Sequence, residues 1–443
     1  MLRFLTSGES HGPLLAVILD GVPSGVALDV DKVNEELSRR QQGYGRGGRQ
    51  KIEADTVEIV GGLRHGITSG APLALMLPNR DFENWRHVMS PLPVDADLDE
   101  VRDQLSQRAI TCFRPGHADL PGTLKFHQAD IRDVLERASA RETAARVAAG
   151  AVCEQILSCL GIEITAHVVQ VGTISSGFCC DSMPLSRLHE QVCLSEMFCA
   201  DKKASKLMEE AVRSAWQEGD SIGGVVEILS DGLPVGLGSY TQWDQRLDGQ
   251  LAQAVMSVQA IKAVEIGDGI QAAGLAGSQV HDALYPVHPG HVEAAGGRVW
   301  DVGNGQNILP FCRRTNHAGG IEGGMTNGAR LKLRAYMKPI PTLRKGLPSV
   351  SFGDFQAVTA HYERSDVCAV PSAAIVVKAM TSFVLCRALL AKFGSDSIQD
   401  IATALETHRR FCQNPALPER PGSGRLPQSI LPCPNIDEEM DGQ

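Results

Sequence analysis

No stretch of the 443 residues approaches the roughly 18 uninterrupted apolar residues of a membrane-spanning helix, and the chain does not open on a basic region followed by an apolar signal segment. The expectation is a cytoplasmic protein without a membrane partner. The twelve cysteines are scattered and never fall into a pair-and-pair spacing or a Cys-x-x-Cys motif, so they read as reduced structural thiols and no metal is expected. Net positive charge is missing too. A formal charge of −10 argues against a general nucleic-acid binder, although a pocket's field is set locally and not by net charge. The chain has no Gly-x-Gly-x-x-Gly between a strand and a helix, no Walker-type lysine loop, no Ser-His-Asp elbow and no metal-binding histidine pair. A ligand here is therefore not held in the Rossmann manner.

What is present suits a large core: 43% hydrophobic and 21% charged residues over this length point to two domains or one large, internally duplicated one. Apolar alternation predicts strands near 14–19, 56–60 and 73–77, and a helix over 30–41 with Asp29 as its N-cap. A long alanine-rich helix follows, opened by Ser139 and Glu142 in capping-box spacing and stopped by Gly161.

The order of elements recurs in the second half. GGLRHGITSGAPLAL, from Gly61, aligns without gaps on GGIEGGMTNGARLKL, from Gly319, with eight of fifteen positions shared. LAVILDGVPSG near Asp20 echoes VVEILSDGLPVG near Asp231, Val57-Glu58-Ile59 echoes Val264-Glu265-Ile266, and residues 139–161 match 372–394 in length and bounding residue types. Either glycine-rich turns coincide, or an α+β unit is duplicated, with repeats at about 1–161 and 222–394 and an insertion of about fifty residues between Ile266 and Gly319. Two such units would pack in layers about a pseudo-twofold axis, with a ligand site at their junction. Residues 1–402 form the expected catalytic region. Residues 403–443 are proline-rich and aperiodic, which predicts a disordered or loosely attached tail.

Four clusters could carry chemistry. SRRQQGYGRGGRQK sets Arg39, Arg40, Arg46, Arg49 and Lys51 among glycines, which suits either a phosphate or carboxylate site or a flexible basic surface loop. FRPGHAD presents Arg114, His117 and Asp119 in one turn; like His11 in Glu9-Ser10-His11-Gly12, His117 is either a proton-transfer group or an ordinary turn histidine. Arg137 to Glu142 opens a helix whose amides favour an anion, though a plain cap explains the same residues. The glycine-dense stretch from Asn316, continuing to Lys338-Pro339-Ile340-Pro341-Thr342 and then to Arg364-Ser365-Asp366, suits a backbone wrapped around a flat or phosphorylated ligand.

Taken together, GESHG (8–12), RRQQGYGRGGR (39–49), RPGHAD (114–119), RASARET (137–143), GDSIGGVVE (219–227), KAVEIGDG (262–269), NHAGGIEGGMTNG (316–328) and RSDVCAVPSA (364–373) resemble the chorismate synthase family across about residues 1–402. The resemblance implies a lyase of the shikimate pathway that eliminates phosphate and a proton, in a 1,4 sense, from 5-enolpyruvylshikimate 3-phosphate to give chorismate. It implies reduced FMN as a required cofactor without net redox change, NADPH or a separate flavin reductase as the source of electrons, a β-α-β sandwich with pseudo-twofold duplication, and a homotetramer. Carried over position by position, it makes His11 the proton source facing the leaving phosphate, with Ser10 in support. His117 would protonate the flavin, and Asp366, with Ser139 nearby, would manage its N5 proton. Arg40, Arg46, Arg49, Arg114 and Arg141 would bind substrate anions, Arg40 and Arg46 also matching positions linked to nicotinamide nucleotide. Arg137, Ala138, Ser139, Gln259, Ala260, Gly323, Lys338, Pro339, Ile340, Pro341, Thr342 and Arg364 would contact FMN. The chain departs from many relatives in carrying Ser365-Asp366-Val367 where His-Asp-Pro is frequent, Gln259 where Asn is frequent, and a longer segment over 281–314.

Overall fold

The computed structural model describes residues 1–47, 54–181, 183–286, 309–360 and 366–414. Arg49, Arg364 and most of the 281–314 segment lie outside the described residues. The chain begins with β1 (Arg3–Ser7), β2 (Leu14–Asp20), α1 (Val30–Gln41), β3 (Glu58–Gly61), the hairpin β4 (Leu63–Arg64) to β5 (Ile67–Thr68), and β6 (Leu73–Pro78). Helices α2 (Asp99–Gln107), α3 (Asp119–Phe126) and α4 (Ile131–Ala138) lead into the long α5 (Thr143–Cys159). Next come β7 (Glu163–Val171), β8 (Ile174–Ser175), α6 (Leu185–Cys193), α7 (Lys202–Gln217), β9 (Gly224–Asp231), α8 (Leu247–Met256) and β10 (Ile261–Ile266). After α9 (Gly269–Ala272), α10 (Gly277–Val280), β11 (Leu284–Pro286) and β12 (Phe311–Arg313) the hairpin β13 (Ile321–Glu322) to β14 (Met325–Thr326) precedes β15 (Leu331–Met337). The short pair β16 (Pro348–Val350) and β17 (Ala357–Thr359), then α11 (Val370–Phe393) and α12 (Ile398–Gln413), complete the described chain.

Two antiparallel sheets flank a helical layer, giving the mixed α+β content expected from sequence. The first sheet runs β1-β2-β6-β3 and the second β7-β9-β15-β10, with β8 added beyond β7. α5 packs on β2 and β6, α11 on β7 and β9, and the two helices pack on each other. One face of each sheet and nearly all of α11 therefore join one apolar core. α11 is long and apolar enough to cross a membrane, but 89% of its most apolar window is buried between the layers. Its burial makes it a core helix.

The matched sequence segments meet in space in the same way in each half. Thr68 Oγ1 donates to the Pro23 carbonyl at 2.6 Å and accepts from the Val26 amide; Thr326 Oγ1 donates to the Pro234 carbonyl at 2.6 Å and accepts from the Leu237 amide. Each threonine thus ties the hairpin to the turn after the second strand of its sheet. Gly66 and Gly324 sit at φ 77° and 84° in those hairpins, a backbone region that side chains with a Cβ rarely enter. In the second sheet β8, α6 and α7 intervene between β7, which precedes residue 222, and β9.

Three local expectations are corrected. The Ser139–Glu142 capping box does not close: Ser139 Oγ accepts from the Arg141 amide, whereas the Glu142 carboxylate is taken by Thr6 Oγ1 and Arg146. α5 proper begins at Thr143 after a 3₁₀ turn. The tail boundary at 402 falls inside α12, which Ser397 caps and whose Ile401 and Leu405 are buried one turn apart; of the expected tail, residues 415–443 lie outside the described residues. Asp29, by contrast, caps α1 as expected, accepting from the Asp31 and Lys32 amides.

The crossing of α5 and α11 rests on a single missing side chain. A Cβ on Gly150 would lie 2.4 Å from Ala379 Cβ and 2.6 Å from the Ala379 carbonyl oxygen, so the helices touch backbone to backbone there. Beyond that contact, Lys378 Nζ is buried between Glu36 of α1 and Glu154 of α5, 2.9 Å from each. Gly150→Ala should therefore destabilise the fold by about 1–3 kcal/mol through overpacking, against a helix-propensity gain of about 1 kcal/mol. Thermal unfolding checks this: a melting temperature equal to or above that of the parent would show that the helices can separate at no cost.

Candidate active site

The starts of α5 and α11 open onto one basin of about 1220 Å³. Among the described residues eight cations line it, namely Arg40, Arg46, Arg114, Arg141, Arg213, Lys262, Lys338 and Arg344, against a single lining carboxylate, Asp366. The N-terminus of α11 adds to this field. Its first residue follows Ala369, which offers no side-chain cap, and Ala369, Ser372 and Ala373 all face the basin. The positive end of a 24-residue helix favours an anion there, although Pro371 in its first turn has no N–H and the Val370 amide is bonded to Cys368. Net acidity of the whole chain is no obstacle, because the local groups set the potential.

The deepest cations share one counter-ion. Arg40 Nη2 and Arg141 Nη1 donate to the two oxygens of Asp55, at 2.8 and 2.5 Å, and all three side chains are nearly inaccessible. Burial pushes the Arg40 guanidinium down to about 10, with Asp55 opposing and Arg141 and Arg46 reinforcing the shift, so it stays charged at neutral pH. The trio carries a net positive charge. Arg40 Nε and Arg46 Nε are buried donors without a partner, and Gln259 Oε1 is a buried acceptor without one. Groups of this kind cost about 1–3 kcal/mol each until a ligand or water satisfies them. They fit the anionic and polar groups of a phosphorylated substrate and of a flavin.

The arginine-glycine loop reaches the basin because Gly45 can. At φ 90° its carbonyl accepts from the Val367 amide at 2.9 Å, and a Cβ there would lie 3.0 Å from Cys368 Cβ. This puts Arg46 within an ion pair of Asp366 (2.5 Å), whose other oxygen accepts from the Gly47 amide. Asn79 links the same cluster to the 9–12 loop: its Oδ1 accepts from Arg141, and its Nδ2 donates to the Glu9 and Gly12 carbonyls.

The two sequence-selected histidines have different settings. His117 lines the basin, with Nδ1 2.6 Å from Asp119 Oδ1. Arg114 Nη2 also approaches that nitrogen at 3.0 Å, but Nδ1 cannot both donate and accept; the shorter contact to an ionised carboxylate assigns the proton to Nδ1 and leaves Nε2 unprotonated in the neutral ring. Asp119 is completely buried and is also gripped by the Arg114 Nε and Nη2. Burial alone would raise its carboxyl, but the bonds from His117 and Arg114 outweigh that and hold it well below the usual range. His11 does not line the basin. Its Nδ1 sits 2.9 Å from both oxygens of buried Glu136, its ring stacks on Trp85 with 3.9 Å between centroids, and Arg132 pairs with the same Glu136. Its connection to the basin runs through Ser10, whose hydroxyl accepts from Ser139 Oγ at 3.1 Å.

Among the expected flavin contacts, Ala138, Ser139, Gln259, Ala260, Lys338, Ile340, Pro341 and Thr342 line the basin, and Pro339 is not among its walls. Arg137 borders a smaller adjoining cavity, with its guanidinium spent on the Gly8 and Thr6 carbonyls. Gly323 lies outside both cavities, in the tight turn of the β13–β14 hairpin. The carboxylates and amide that hold the site together, Asp55, Asn79 and Glu136, were not singled out from sequence. Asp119 was seen in the RPGHAD turn but given no role; its position two residues after His117 was the available signal. Glu136 directly precedes RASARET, but nothing local marks Asp55 or Asn79, whose partners are distant in sequence.

Residues 2–390 match the family model described as Chorismate synthase. The curated chorismate synthase of Moorella thermoacetica is 50% identical over 413 residues, covering 93% of this chain and all of the relative. That of Brevibacillus brevis is 45% identical over 412 residues with the same coverage, and that of Geobacter sulfurreducens 46% over 414 residues, covering 93% of this chain and 99% of the relative. A crystal structure of chorismate synthase is similar with a TM-score of 0.70 at 36% identity, over 93% of this chain and 98% of that one.

If Asp119 fixes the His117 tautomer, Asp119→Asn should lower kcat by about 10² or more while KM changes little. The acid limb should change too. Because the native carboxyl lies below its unfolded value, its stabilisation is present above about pH 4 and disappears as pH falls further; the variant lacks that loss. Steady-state kinetics and acid unfolding check both, and a near-parental kcat would contradict the orienting role.

Proposed function

The chain belongs to the chorismate synthase family and is a lyase that makes chorismate in the shikimate pathway with the help of reduced flavin; on that premise we propose that the cationic basin holds substrate and FMN together, with His117 and Asp366 handling protons there. The observation that carries this reading is the eight-to-one excess of cations over carboxylates around a cavity large enough for both. 5-Enolpyruvylshikimate 3-phosphate carries a phosphate and two carboxylates, and FMN another phosphate, so two ligands supply the missing anions. In the elimination the electrons of the broken C–H bond form a new double bond, the ring double bond shifts, and the C–O bond electrons leave with the phosphate. Nothing is oxidised or reduced overall.

The residues divide this work. Arg40 and Arg141, anchored by Asp55, offer rigid planar donors to the substrate's anions, and Ser372 at the positive end of α11 offers a second anion position. When bound here, reduced flavin would supply electron density to the substrate as phosphate departs. Ala138, Ser139, Gln259, Ala260, Lys338, Ile340, Pro341 and Thr342 form the walls against which its ring would lie, and Lys338 Nζ is fixed by the Gly116 carbonyl at 2.7 Å. His117, backed by Asp119, presents Nε2 as the proton carrier, and Asp366 is held by Arg46 at the same rim. His11 acts on the leaving phosphate through the Ser10–Ser139 pair and the Glu136-held ring. Arg49, Arg137, Gly323 and Arg364 are assigned to ligand contact on the family resemblance alone, and the cytoplasm is the assigned compartment on the same ground.

The finer architecture follows the same logic. We infer a duplicated unit, β1-β2-β6-β3 with α5 matching β7-β9-β15-β10 with α11, supported by the identical strand order and by the paired Thr68 and Thr326 bonds. Two related helix starts then converge on one basin. A homotetramer is supported by the outer face of the first sheet, where Leu5, Ile18 and Val60 are exposed together. NADPH, through this chain or a separate flavin reductase, is the proposed source of electrons.

Anaerobic assay tests the reading. With chemically reduced FMN the chain should release phosphate from the enolpyruvyl substrate and stay silent with oxidised FMN, and His117→Ala should lose about 10² or more in turnover with flavin still bound. Turnover independent of flavin reduction, or full activity of the variant, would contradict it.

A further inference from the structure

Outside the basin, the outer face of the second sheet carries a row of polar side chains in cross-strand register, His167 opposite Glu227, Glu227 opposite Arg334, and Arg334 opposite Glu265. At one end of that row the loop after β8 brings in Cys180, and His167, Cys180 and Glu227 are all buried. Their three donor atoms form a triangle. His167 Nε2 lies 3.0 Å from Glu227 Oε1, and Cys180 Sγ lies 3.8 Å from the nitrogen and 3.6 Å from the oxygen. A tetrahedral zinc ion with ordinary bond lengths to nitrogen, oxygen and sulfur requires edges of about 3.3 Å for N···O and about 3.6 Å for each edge to sulfur. The observed triangle matches to about 0.3 Å on every edge.

The surroundings favour the same occupant. Glu227 Oε2 is taken by Arg334 Nε at 2.7 Å, which orients the carboxylate and leaves Oε1 for the cluster. Arg330 fixes the Cys180 loop by donating to the carbonyls of Cys180, Asp181 and Met183.

We propose that His167, Cys180 and Glu227 bind a divalent metal ion of the zinc class, which staples the segment between β7 and β9 to the second sheet. Binding replaces the thiol proton: the S–H bond breaks, its proton leaves to solvent, and the thiolate and carboxylate together balance the two positive charges beside a neutral imidazole. A fourth position is left for water or another donor. Sulfur and nitrogen donors select zinc over magnesium or calcium. The ligands are 13 and 47 residues apart, so no spacing motif reveals them. None lines the basin, and the ion would be structural and independent of flavin chemistry.

The test uses the full chain, reduced and stripped with a chelator, titrated with Co(II) and then Zn(II). The expected result is one equivalent of cobalt with a thiolate-to-cobalt charge-transfer band, displaced by zinc. Cys180→Ser should lose the band and about 100-fold in zinc affinity, while Cys179→Ser, at the exposed neighbouring thiol, keeps both. Absence of a band in the parent chain, or a band that survives Cys180→Ser, would overturn the site.

Discussion

Two buried arginines held by one buried aspartate are the constraint from which the active-site architecture follows. Arg40 and Arg141 converge on Asp55 with almost no solvent, and burial depresses the Arg40 guanidinium only to about 10. Arg40 therefore remains charged at neutral pH, and one carboxylate faces two guanidinium groups. Breaking such a cluster by removing Asp55 would leave uncompensated buried charge, a loss of about 3–5 kcal/mol. An anion entering from the basin side would offset the remaining imbalance.

The core makes that arrangement rigid. α5 and α11 can bring their N-terminal ends to the same cavity because they touch at Gly150 and Ala379, and the salt bridges of Lys378 lock α1 to both. Arg40 comes from the end of α1, Arg141 from the turn before α5, and Asp366 from just before α11. Arg40 and Arg141 are thus delivered by elements whose own positions are fixed in the apolar layer, whereas Arg46 is placed by the loop through Gly45. The carboxylates Asp119 and Glu136 extend the principle to the histidines, each gripping one imidazole nitrogen and an arginine at once.

Much of this was legible in sequence. The periodicity of 30–41 with Asp29 ahead of it gave α1 to the residue, and the glycine-threonine-glycine spacing shared by 61–75 and 319–333 marked hairpins that proved geometrically equivalent. Motif residues Arg40, Arg46, Arg114, His117, Ser139 and Lys338 do meet around one cavity. What stayed hidden depends on partners far apart in the chain. Asp55 is defined by Arg141, 86 residues away, and Glu136 by His11, 125 residues away. The separation of His11 from the basin was invisible for the same reason, since it depends on Trp85 and Glu136 claiming the ring. α12 was misjudged because the proline-rich composition beyond it overrode two apolar positions a turn apart.

The central claim is that the basin is a charge-imbalanced site completed by its anionic ligands. The most direct test is the melting temperature of the flavin-free chain titrated with 5-enolpyruvylshikimate 3-phosphate at constant ionic strength, with chloride as the control. A saturable rise is expected, reaching about 2.7 kcal/mol of added stability at a hundredfold excess over Kd. A shift no larger than that given by chloride would contradict it.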